Sequence, residues 1–318
     1  MSKGYDHLVR RLRLRHFELL VALSEVGTMR GAAGRLHLSQ PAISKMLAEA
    51  EDALGGLLFE RTRQGVHPTA MGLAAVHRAR VMLGELAQAH DDMAAMRGGA
   101  SAVLRVGTFS VTTVVPVAVI GLRRRMPGAS IHLHEGRVGE LIQRLLDGEL
   151  DCVLGALTSD LLGGDQLRQL QSEMLMDDRL CVLVAQHSPW RGRRRVTWAD
   201  LQACDWVAPP KQTLVRQAFM TAFLNQAINP PEPVVEAMSS VTIGTVLRLD
   251  PGLLGAVRFE HAREEVARGG LVQLAVGPAV VLPPLGLFTR RGNVDPTPVM
   301  REFASALRKA GGRAAPGM

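Results

Sequence analysis

One fourteen-residue run near the start of the chain limits its fold more than any other segment. Residues 32–45 combine a short helix, a tight polar turn and a second helix whose leading end is polar and cationic. Thr28 is expected to cap the first helix and Ser39 the second, with Pro41 in a first turn where a missing N–H has no cost. Such a pair of helices fits the major groove of DNA and favours a gene regulator over an enzyme.

The leading end of the second helix carries the groups that groove reading requires. Gln40 can hydrogen-bond a base edge, and Lys45 can neutralise a phosphate. Ser39 and Ser44 can reach a phosphate or a base, and Pro41 is the fifth residue of this helix end in the predicted DNA-binding set, which Arg61 and Arg63 complete. The alternative is an ordinary helical hairpin, because this pattern alone also occurs in proteins that do not bind DNA.

The residues that follow predict a wing. Glycines at 55–56 end a helix, and Leu58 and Phe59 are expected to anchor a strand in the core. Arg61 and Arg63 then project from a hairpin that can lie along the DNA backbone or in the minor groove. The hairpin makes the helix pair a candidate winged helix-turn-helix.

At this point the chain resembles the LysR-type transcriptional regulators. The resemblance runs from about residue 14 to 86 and rests on an ordered set of residues, namely Ala32-Ala33, Ser39-Gln40-Pro41-Ala42-Ile43-Ser44, Glu51, Leu54-Gly55, Leu58-Phe59-Glu60-Arg61 and Thr69-Ala70-Met71-Gly72. It implies an all-α winged helix-turn-helix with a linker helix that dimerises, then an α/β two-lobed domain like a periplasmic solute-binding protein. It also implies a tetramer that binds and bends double-stranded operator DNA, an inducer that alters the bend, and RNA polymerase as a further candidate partner.

The chain is expected to divide accordingly into three parts. Residues 1–69 form the DNA-binding domain, 70–97 the linker helix and 98–318 the effector domain. The first lobe of the effector domain is placed at about 102–175 and 276–310 and the second lobe at about 176–270. The chain is expected to cross between the lobes near 174–178 and 269–277. Thr69 is a predicted cap of the linker helix, and one apolar stripe is expected to pack on its own domain or, preferably, on a second subunit: Val76, Ala79, Leu83, Leu86 and Ala87.

Alternating strands and helices in the effector domain predict a parallel sheet. The expected strands are 103–107, 131–134, 152–156, 180–185, 206–208, 234–237, 253–257 and 285–289. The expected helices are 115–126, 139–146, 214–225, 242–249 and 298–309. Since aromatic residues make up 4% of the chain, its cores are expected to rest on Leu, Val, Ala and Met.

The effector is expected where the carboxyl ends of strands from the two lobes face each other. The candidate contacts follow strands or begin helices: Thr108, Ser110, Thr112, Val138, Lys211, Thr213 and Ser240. Many relatives carry Thr or Ser near Val138, so one polar contact is missing here. Hydroxyls and free N–H groups at helix N-termini favour an anion, and a small carboxylate is the expected effector. The alternative for each hydroxyl is simple helix capping.

Composition and motifs limit which other classes of function the chain can have. The chain has 318 residues and a net charge of +7, and it lacks any apolar run of membrane-spanning length, so a cytoplasmic protein without a membrane partner is expected. No enzyme fingerprint occurs, and neither a cofactor nor a metal is expected, although His132 and His134 alternate beside Glu135. Two alternatives stay open: a thiol-based redox sensor using Cys204 on the same scaffold, and a ligand-binding module without a transcriptional role.

Overall fold

The computed structural model describes residues 8, 11–110, 114–158, 164–292 and 296–312, which form two compact units. The first unit holds the chain up to Val103 together with Ile142–Asp151. The second holds Leu104–Leu141 and the chain from Cys152 onward. Each unit has its own hydrophobic core, and each is described separately.

The first unit contains the predicted helix-turn-helix and wing. Its elements are α1 (Leu14–Val26), α2 (Met29–Leu36), α3 (Gln40–Leu54), β1 (Phe59–Thr62), β2 (Gly65–Pro68) and α4 (Ala70–Arg97). Thr28, Ser39 and Thr69 each accept a hydrogen bond from the backbone N–H three residues later, at 3.1, 3.4 and 3.0 Å. Gly55 ends α3 in the left-handed conformation, with φ of 79°. The predicted caps and the predicted end of α3 are confirmed.

The long helix α4 presents two apolar surfaces in succession. Val76 and Ala79 are buried in the core of the first unit, where α4 packs against α1. Leu86, from the same predicted stripe, is 50% exposed. Further along the helix, apolar side chains recur at helical spacing on the surface: Met82, Leu86, Met93 and Met96. The predicted stripe therefore packs on its own domain only near the N-terminal end of α4.

The chain beyond α4 alternates strands and helices. The strands are β3 (Ala102–Thr108), β4 (Ala129–Glu135), β5 (Cys152–Ala156), β6 (Leu170–Ala185), β7 (Val196–Thr197), β8 (Trp206–Ala208), β9 (Val235–Glu236), β10 (Leu254–Arg258), β11 (Leu271–Leu274), β12 (Val276–Gly277) and β13 (Val281–Arg290). The helices are α5 (Val114–Arg125), α6 (Val138–Leu146), α7 (Leu214–Leu224), α8 (Ser240–Leu249), α9 (Phe259–Ala267) and α10 (Pro298–Gly312).

One long strand joins two halves of the main sheet, whose order is β4-β3-β5-β13-β6-β10-β8-β9 with β11 also on β6. Up to Arg179, β6 pairs with β13, and from Leu180 onward it pairs with β10 and β11. We call β3, β4, β5 and β13 the first lobe, and β8, β9, β10 and β11 the second lobe. The return to the first lobe runs through the start of β13, later in the chain than the expected 269–277.

The prediction of a parallel sheet is wrong for the strands that connect the lobes. Within each lobe, β3 runs parallel to β5, and β8 runs parallel to β9 and β10. In contrast, β6 is antiparallel to β10, β11 and β13, and β13 is antiparallel to β5. A strand that brings the chain directly back across a lobe boundary needs no helical crossover, so it enters antiparallel and the sheet is mixed.

The core of the second lobe departs from the expected aliphatic composition. Trp198, Trp206, Phe219 and Phe223 are fully buried there, and the ring centroids of Trp206 and Phe219 are 4.8 Å apart. Four of the twelve aromatic residues of the chain thus pack together in this core, where edge-to-face packing adds to burial. In the part of the chain that the structure describes, no helix has the length and apolarity that crossing a membrane requires.

Candidate DNA interface and effector crevice

Helix α3 has one face locked in the core and one face open. Ile43, Leu47 and Ala50 are buried, which fixes the helix against α1 and α2. The predicted contact residues recur at positions i, i+1, i+4 and i+5 on the opposite face: Gln40, Pro41, Ser44 and Lys45. Gln40, Pro41 and Lys45 are exposed and Ser44 is half-buried. The Ser39 hydroxyl is engaged in a hydrogen bond as the N-cap of the helix. The structure therefore brings the five predicted residues of this helix together at its leading end.

The wing is held at both ends. At its base, the Glu51 carboxylate accepts hydrogen bonds from the backbone N–H groups of Leu58 at 2.9 Å and Phe59 at 3.2 Å. Near its tip, the Val66 N–H donates to the carbonyl of Gly27 at 2.8 Å. Gly65 has φ of 135°, and a Cβ at this position would lie 2.6 Å from the same carbonyl oxygen, so only glycine fits. The hairpin is therefore a fixed projection of the domain.

The cations of this domain differ in whether a carboxylate already binds them. Arg35 pairs with Glu25 at 2.5 Å, whereas Arg61 and Arg63 are exposed on the hairpin and have no ion-pair partner among the described residues. The Lys45 ammonium is 79% exposed and lies 4.0 Å from Glu49. These three predicted phosphate contacts keep their charge available to DNA.

Sequence reasoning missed Arg30. This side chain is exposed in the first turn of α2, and no described carboxylate pairs with it. The Thr28 cap leaves other N–H groups of this turn unbonded, and a helix N-terminus with an arginine attracts a phosphate. The available signal was an arginine directly inside a predicted cap.

In the second unit, the carboxyl ends of strands from the two lobes meet. The loop after β3 places Phe109 against the end of β10, where the guanidinium of Arg258 lies 4.5 Å from the ring centroid of Phe109. His261, in the first turn of α9, lies 6.0 Å from the same ring. We call the junction of these strand ends the crevice.

The candidates on the first lobe mainly shape the crevice loops. The Thr108 hydroxyl is buried, donates to the carbonyl of Ser110 at 2.7 Å and accepts from the Ser110 N–H at 3.3 Å. Val138 begins α6 and packs its methyl groups on β5, 3.1 Å from where a Cβ of Gly155 would lie. Thr112 lies outside the described residues. Effector contacts at Thr108, Ser110, Thr112 and Val138 stay predictions.

Two of the candidates on the second lobe already have partners. The Thr213 hydroxyl caps α7 by accepting from the Arg216 N–H at 3.2 Å and also donates to Pro210 at 2.8 Å. The Lys211 ammonium donates to Glu232 at 3.1 Å, and this bond, the largest contribution, lowers the pKa of the Glu232 carboxyl. Glu232 also accepts from Arg216 at 2.7 Å. The charge of Lys211 is therefore largely balanced.

Ser240 is the candidate whose hydroxyl remains uncommitted. It is buried in the first position of α8, and it makes no side-chain hydrogen bond to any residue that the structure describes. The residue before it, Ser239, occupies the N-cap position, but its side chain makes no capping hydrogen bond. A hydroxyl and open N–H groups therefore coincide at this helix N-terminus, as binding of an anion requires.

Sequence reasoning also missed the charged group at the end of β10. Arg258 is buried, and its Nε donates to Asp178 at 2.6 Å. The Nε2 atom of His261 is buried without a hydrogen-bond partner among the described residues, and burial, followed by the charge of Arg258, lowers the pKa of His261 to about 4. A buried polar atom without a partner marks a place for water or a ligand. Asp178 lies 80 residues from Arg258 in sequence, so local patterns carried no signal for this pair.

Metal and thiol chemistry find little support in the geometry. The His132 Nε2 lies 3.2 Å from the Ser130 hydroxyl, and the described residues contain no cluster of three or more His, Cys, Asp or Glu arranged for a metal. All three cysteines are free, and burial is the main cause that raises the pKa of Cys181 to about 12 and also raises the pKa of Cys204. Both groups are therefore protonated thiols at neutral pH.

Comparison with known proteins agrees with this architecture. The model of the bacterial regulatory helix-turn-helix proteins of the lysR family matches residues 14–73, and the model of the LysR substrate binding domain matches residues 97–312. The chain is 32% identical over 235 residues to the HTH-type transcriptional regulator GbpR of Azospirillum brasilense, covering 73% of this chain and 67% of GbpR. It is 32% identical over 197 residues to a hydrogen peroxide-inducible genes activator of Dickeya chrysanthemi, covering 60% and 61%.

Solved structures share the fold across nearly the whole chain. A full-length OxyR variant from Pseudomonas aeruginosa superimposes with a TM-score of 0.58 at 22% identity, covering 93% of this chain and 97% of OxyR. CbnR, a LysR family transcriptional regulator, gives a TM-score of 0.55 at 21% identity, covering 94% and 99%. The chain belongs to the LysR family and is a DNA-binding transcriptional regulator with an effector-binding domain.

Proposed function

We propose that the chain binds operator DNA with the leading end of α3 in the major groove and the β1–β2 wing along the backbone or minor groove. The observation that carries this proposal is the open face of α3, whose opposite face is fixed in the core. Gln40 reads a base edge and Ser44 reaches a base or phosphate, because short side chains let the helix approach. Such a protein acts on DNA in the cytoplasm, and its function is regulation, not catalysis.

The exposed cations of the DNA-binding domain are proposed to bind the DNA phosphates. Lys45, Arg61 and Arg63 lack a tight carboxylate partner among the described residues, and Arg30 joins them at the start of α2. Each cation that neutralises a phosphate releases counterions, so affinity falls steeply with salt. These residues set affinity for all sequences, whereas Gln40 and Ser44 set the preference among them.

The proposed DNA-binding form is a dimer that assembles through α4. Met82, Leu86, Met93 and Met96 leave an apolar face of α4 uncovered, which a second copy of the same helix can bury. A dimer presents two α3 helices to half-sites about one helical turn apart. The family resemblance extends this proposal to a tetramer and to contact with RNA polymerase at promoters.

The proposed effector is a small anion bound in the crevice. Support comes from the uncommitted Ser240 hydroxyl and from the buried Arg258 and His261 at the same sheet edge. Thr108, Ser110, Thr112 and Val138 would line the first-lobe side, and Lys211 and Thr213 the second-lobe side. Because Lys211 is balanced by Glu232, and Arg258 by Asp178, Ser240 is expected to contribute more to binding of the anion.

A gel-shift titration against the DNA upstream of the gene for this chain tests the proposal, with nonspecific competitor present. The expected result is a discrete shift that resists competitor. Gln40→Ala should relax the sequence preference, and Arg63→Ala should weaken binding to all sequences and reduce the salt slope by about 1. Gln202→Ala, at an exposed position of the second unit, is the matched control. Unchanged affinity and preference in Gln40→Ala would falsify the groove assignment.

Similarity to peroxide-inducible activators raises a redox sensor as the alternative. A sensor of this kind requires an accessible thiolate of low pKa. Burial raises the pKa of both Cys181 and Cys204, which disfavours this chemistry. A ligand-binding module without a transcriptional role is disfavoured by the open face of α3, and the gel shift also decides this point.

A further inference from the structure

Four exposed arginines lie within five residues of the loop that joins β6 to β7. They are Arg191, Arg193, Arg194 and Arg195, and the loop ends where Val196 begins β7. We call residues 186–195 the arginine loop. It lies outside the DNA-binding domain, and none of its residues is a crevice candidate. The proposed DNA and effector contacts therefore leave these four charges unused.

The unpaired positive charge of this part of the chain is concentrated in the arginine loop. Residues 180–274, which include the strands of the second lobe, carry ten Lys and Arg against eight Asp and Glu. The six Lys and Arg outside the loop each pair with a carboxylate: Lys211, Arg216, Arg248, Arg258, Arg263 and Arg268. None of the four in the loop forms an ion pair with a carboxylate that the structure describes. An exposed cluster of unbalanced charge attracts a polyanion.

The carboxylate of Asp200, whose pKa responds to the charge of Arg193, is already engaged elsewhere. It accepts hydrogen bonds from the Thr197 backbone N–H at 2.8 Å and from the Thr197 hydroxyl at 2.7 Å. These two bonds are the main causes that lower the pKa of Asp200, and the charge of Arg193 contributes least. Asp200 therefore does not take up the charge of the arginine loop.

The backbone of the arginine loop is held in an ordered turn. The Arg191 N–H donates to the Ser188 carbonyl at 3.0 Å. The Arg193 N–H donates to the Trp190 carbonyl at 3.2 Å. The Trp190 side chain packs against the core of the second lobe, and the Arg193 guanidinium lies over its ring, 4.8 Å from the centroid. A partner therefore binds these arginines with a smaller loss of conformational entropy than it would on a free segment.

The chemistry of the arginine loop fits a row of phosphates. Guanidinium groups bind phosphate oxygens through pairs of parallel N–H groups, and duplex DNA presents phosphates in closely spaced rows. The chain belongs to a family of DNA-binding regulators, so duplex DNA is the polyanion that it meets. We propose that the arginine loop is a second DNA contact, which binds backbone phosphates and reads no sequence. This inference rests on DNA binding by the chain but not on the groove assignment of Gln40.

A salt titration of the full chain tests the proposal with a labelled duplex of random sequence. Fluorescence anisotropy on a duplex of about 60 base pairs gives Kd between about 50 and 200 mM NaCl, and the slope of log Kd against log salt concentration reports the number of phosphate contacts. Arg194→Gln combined with Arg195→Gln should reduce the slope by about 2 and weaken binding about tenfold or more. An unchanged slope and affinity would overturn the proposal.

Two further double variants assign the effect to the loop. Arg263→Gln with Arg268→Gln removes the same charge from the same part of the chain, but these arginines pair with Glu260 and Glu264. This matched control should keep the parent slope. Arg194→Lys with Arg195→Lys retains the charge and should keep most of the slope. An equal loss in the control would show a response to net charge alone and would refute the assignment to the arginine loop.

An acidic protein surface is the competing partner of an arginine cluster. If the Gln variant of the loop keeps the parent salt slope but lowers transcription by purified RNA polymerase, the partner is a protein and the DNA contact is refuted. A parent chain that binds no duplex at all refutes DNA binding itself. A parent chain that binds as well as its loop variant refutes only the second contact.

Discussion

Arg258 and Asp178 form a buried ion pair at the boundary between the two lobes. The Nε of Arg258 donates to Oδ2 of Asp178 at 2.6 Å, and the other carboxylate oxygen accepts from the Phe259 N–H at 3.3 Å. Asp178 lies in β6 next to the point where its pairing with β13 ends, and Arg258 is the last residue of β10. Since the same guanidinium covers Phe109 of the first lobe, the pair joins three segments at the crevice.

Removing one member of this pair should be costly. Asp178→Ala leaves a buried guanidinium without its counter-charge, and a loss of about 3–5 kcal/mol in the free energy of unfolding is expected. The double change Asp178→Leu with Arg258→Met should recover much of this loss because no charge stays buried. Urea unfolding followed by tryptophan fluorescence reports on the second lobe, which holds Trp190, Trp198 and Trp206. Arg125→Gln, in a pair exposed at the surface, should cost less than about 1 kcal/mol.

The wing should depend on the Glu51 carboxylate. Glu51→Ala removes the acceptor for the N–H groups of Leu58 and Phe59, and we expect a loss of about 1–3 kcal/mol together with weaker operator binding. Glu51→Gln retains an acceptor oxygen and should fall between Ala and the parent chain. Thermal unfolding and gel shift measure the two effects. Parent-like stability and affinity in Glu51→Ala would show that the wing is held by its packing alone.

Local signals predicted the DNA-binding domain well. Caps at Thr28, Ser39 and Thr69 and the turn at Gly55 depend on residues within a few positions of each other, and a single sequence displays such relationships directly. The antiparallel course of β13 depends on strands far apart in the chain. Periodicity reports which face of a strand is buried but not which strand lies beside it.

The effector residues were harder to predict because capping and ligand binding use the same residue types. Thr213 caps a helix, whereas Ser240 at a similar position leaves its hydroxyl uncommitted. Only the hydrogen-bond partners separate the two cases. Arg258 could not be singled out at all, since its partner Asp178 lies 80 residues away in sequence.

Operator binding should be insensitive to peroxide. The raised pKa values of Cys181 and Cys204 leave little thiolate at neutral pH, and the thiolate is the form that peroxide oxidises. Gel shifts before and after peroxide treatment should match, and Cys204→Ser should behave as the parent does. A loss of operator binding on oxidation that Cys204→Ser prevents would contradict this expectation and favour the redox-sensor alternative.

Stability should fall in mild acid because of His261. Its pKa is about 4 in the folded chain against an ordinary 6.5, so the unfolded chain binds the proton more tightly. Above pH 6.5, where His261 is neutral in both states, its titration does not lower the free energy of unfolding. As the pH falls from 6.5 toward 4, the unfolded chain takes up the proton first, and the free energy of unfolding falls by about 3 kcal/mol in all. The neighbouring Glu260 acts in the opposite direction, since burial raises the pKa of that carboxyl. Comparing denaturant unfolding of the parent and His261→Phe from pH 7 to 4 isolates His261, because Glu260 is common to both. The exposed His132→Asn should keep the parent profile, and a His261→Phe profile that follows the parent in this window would refute the assignment.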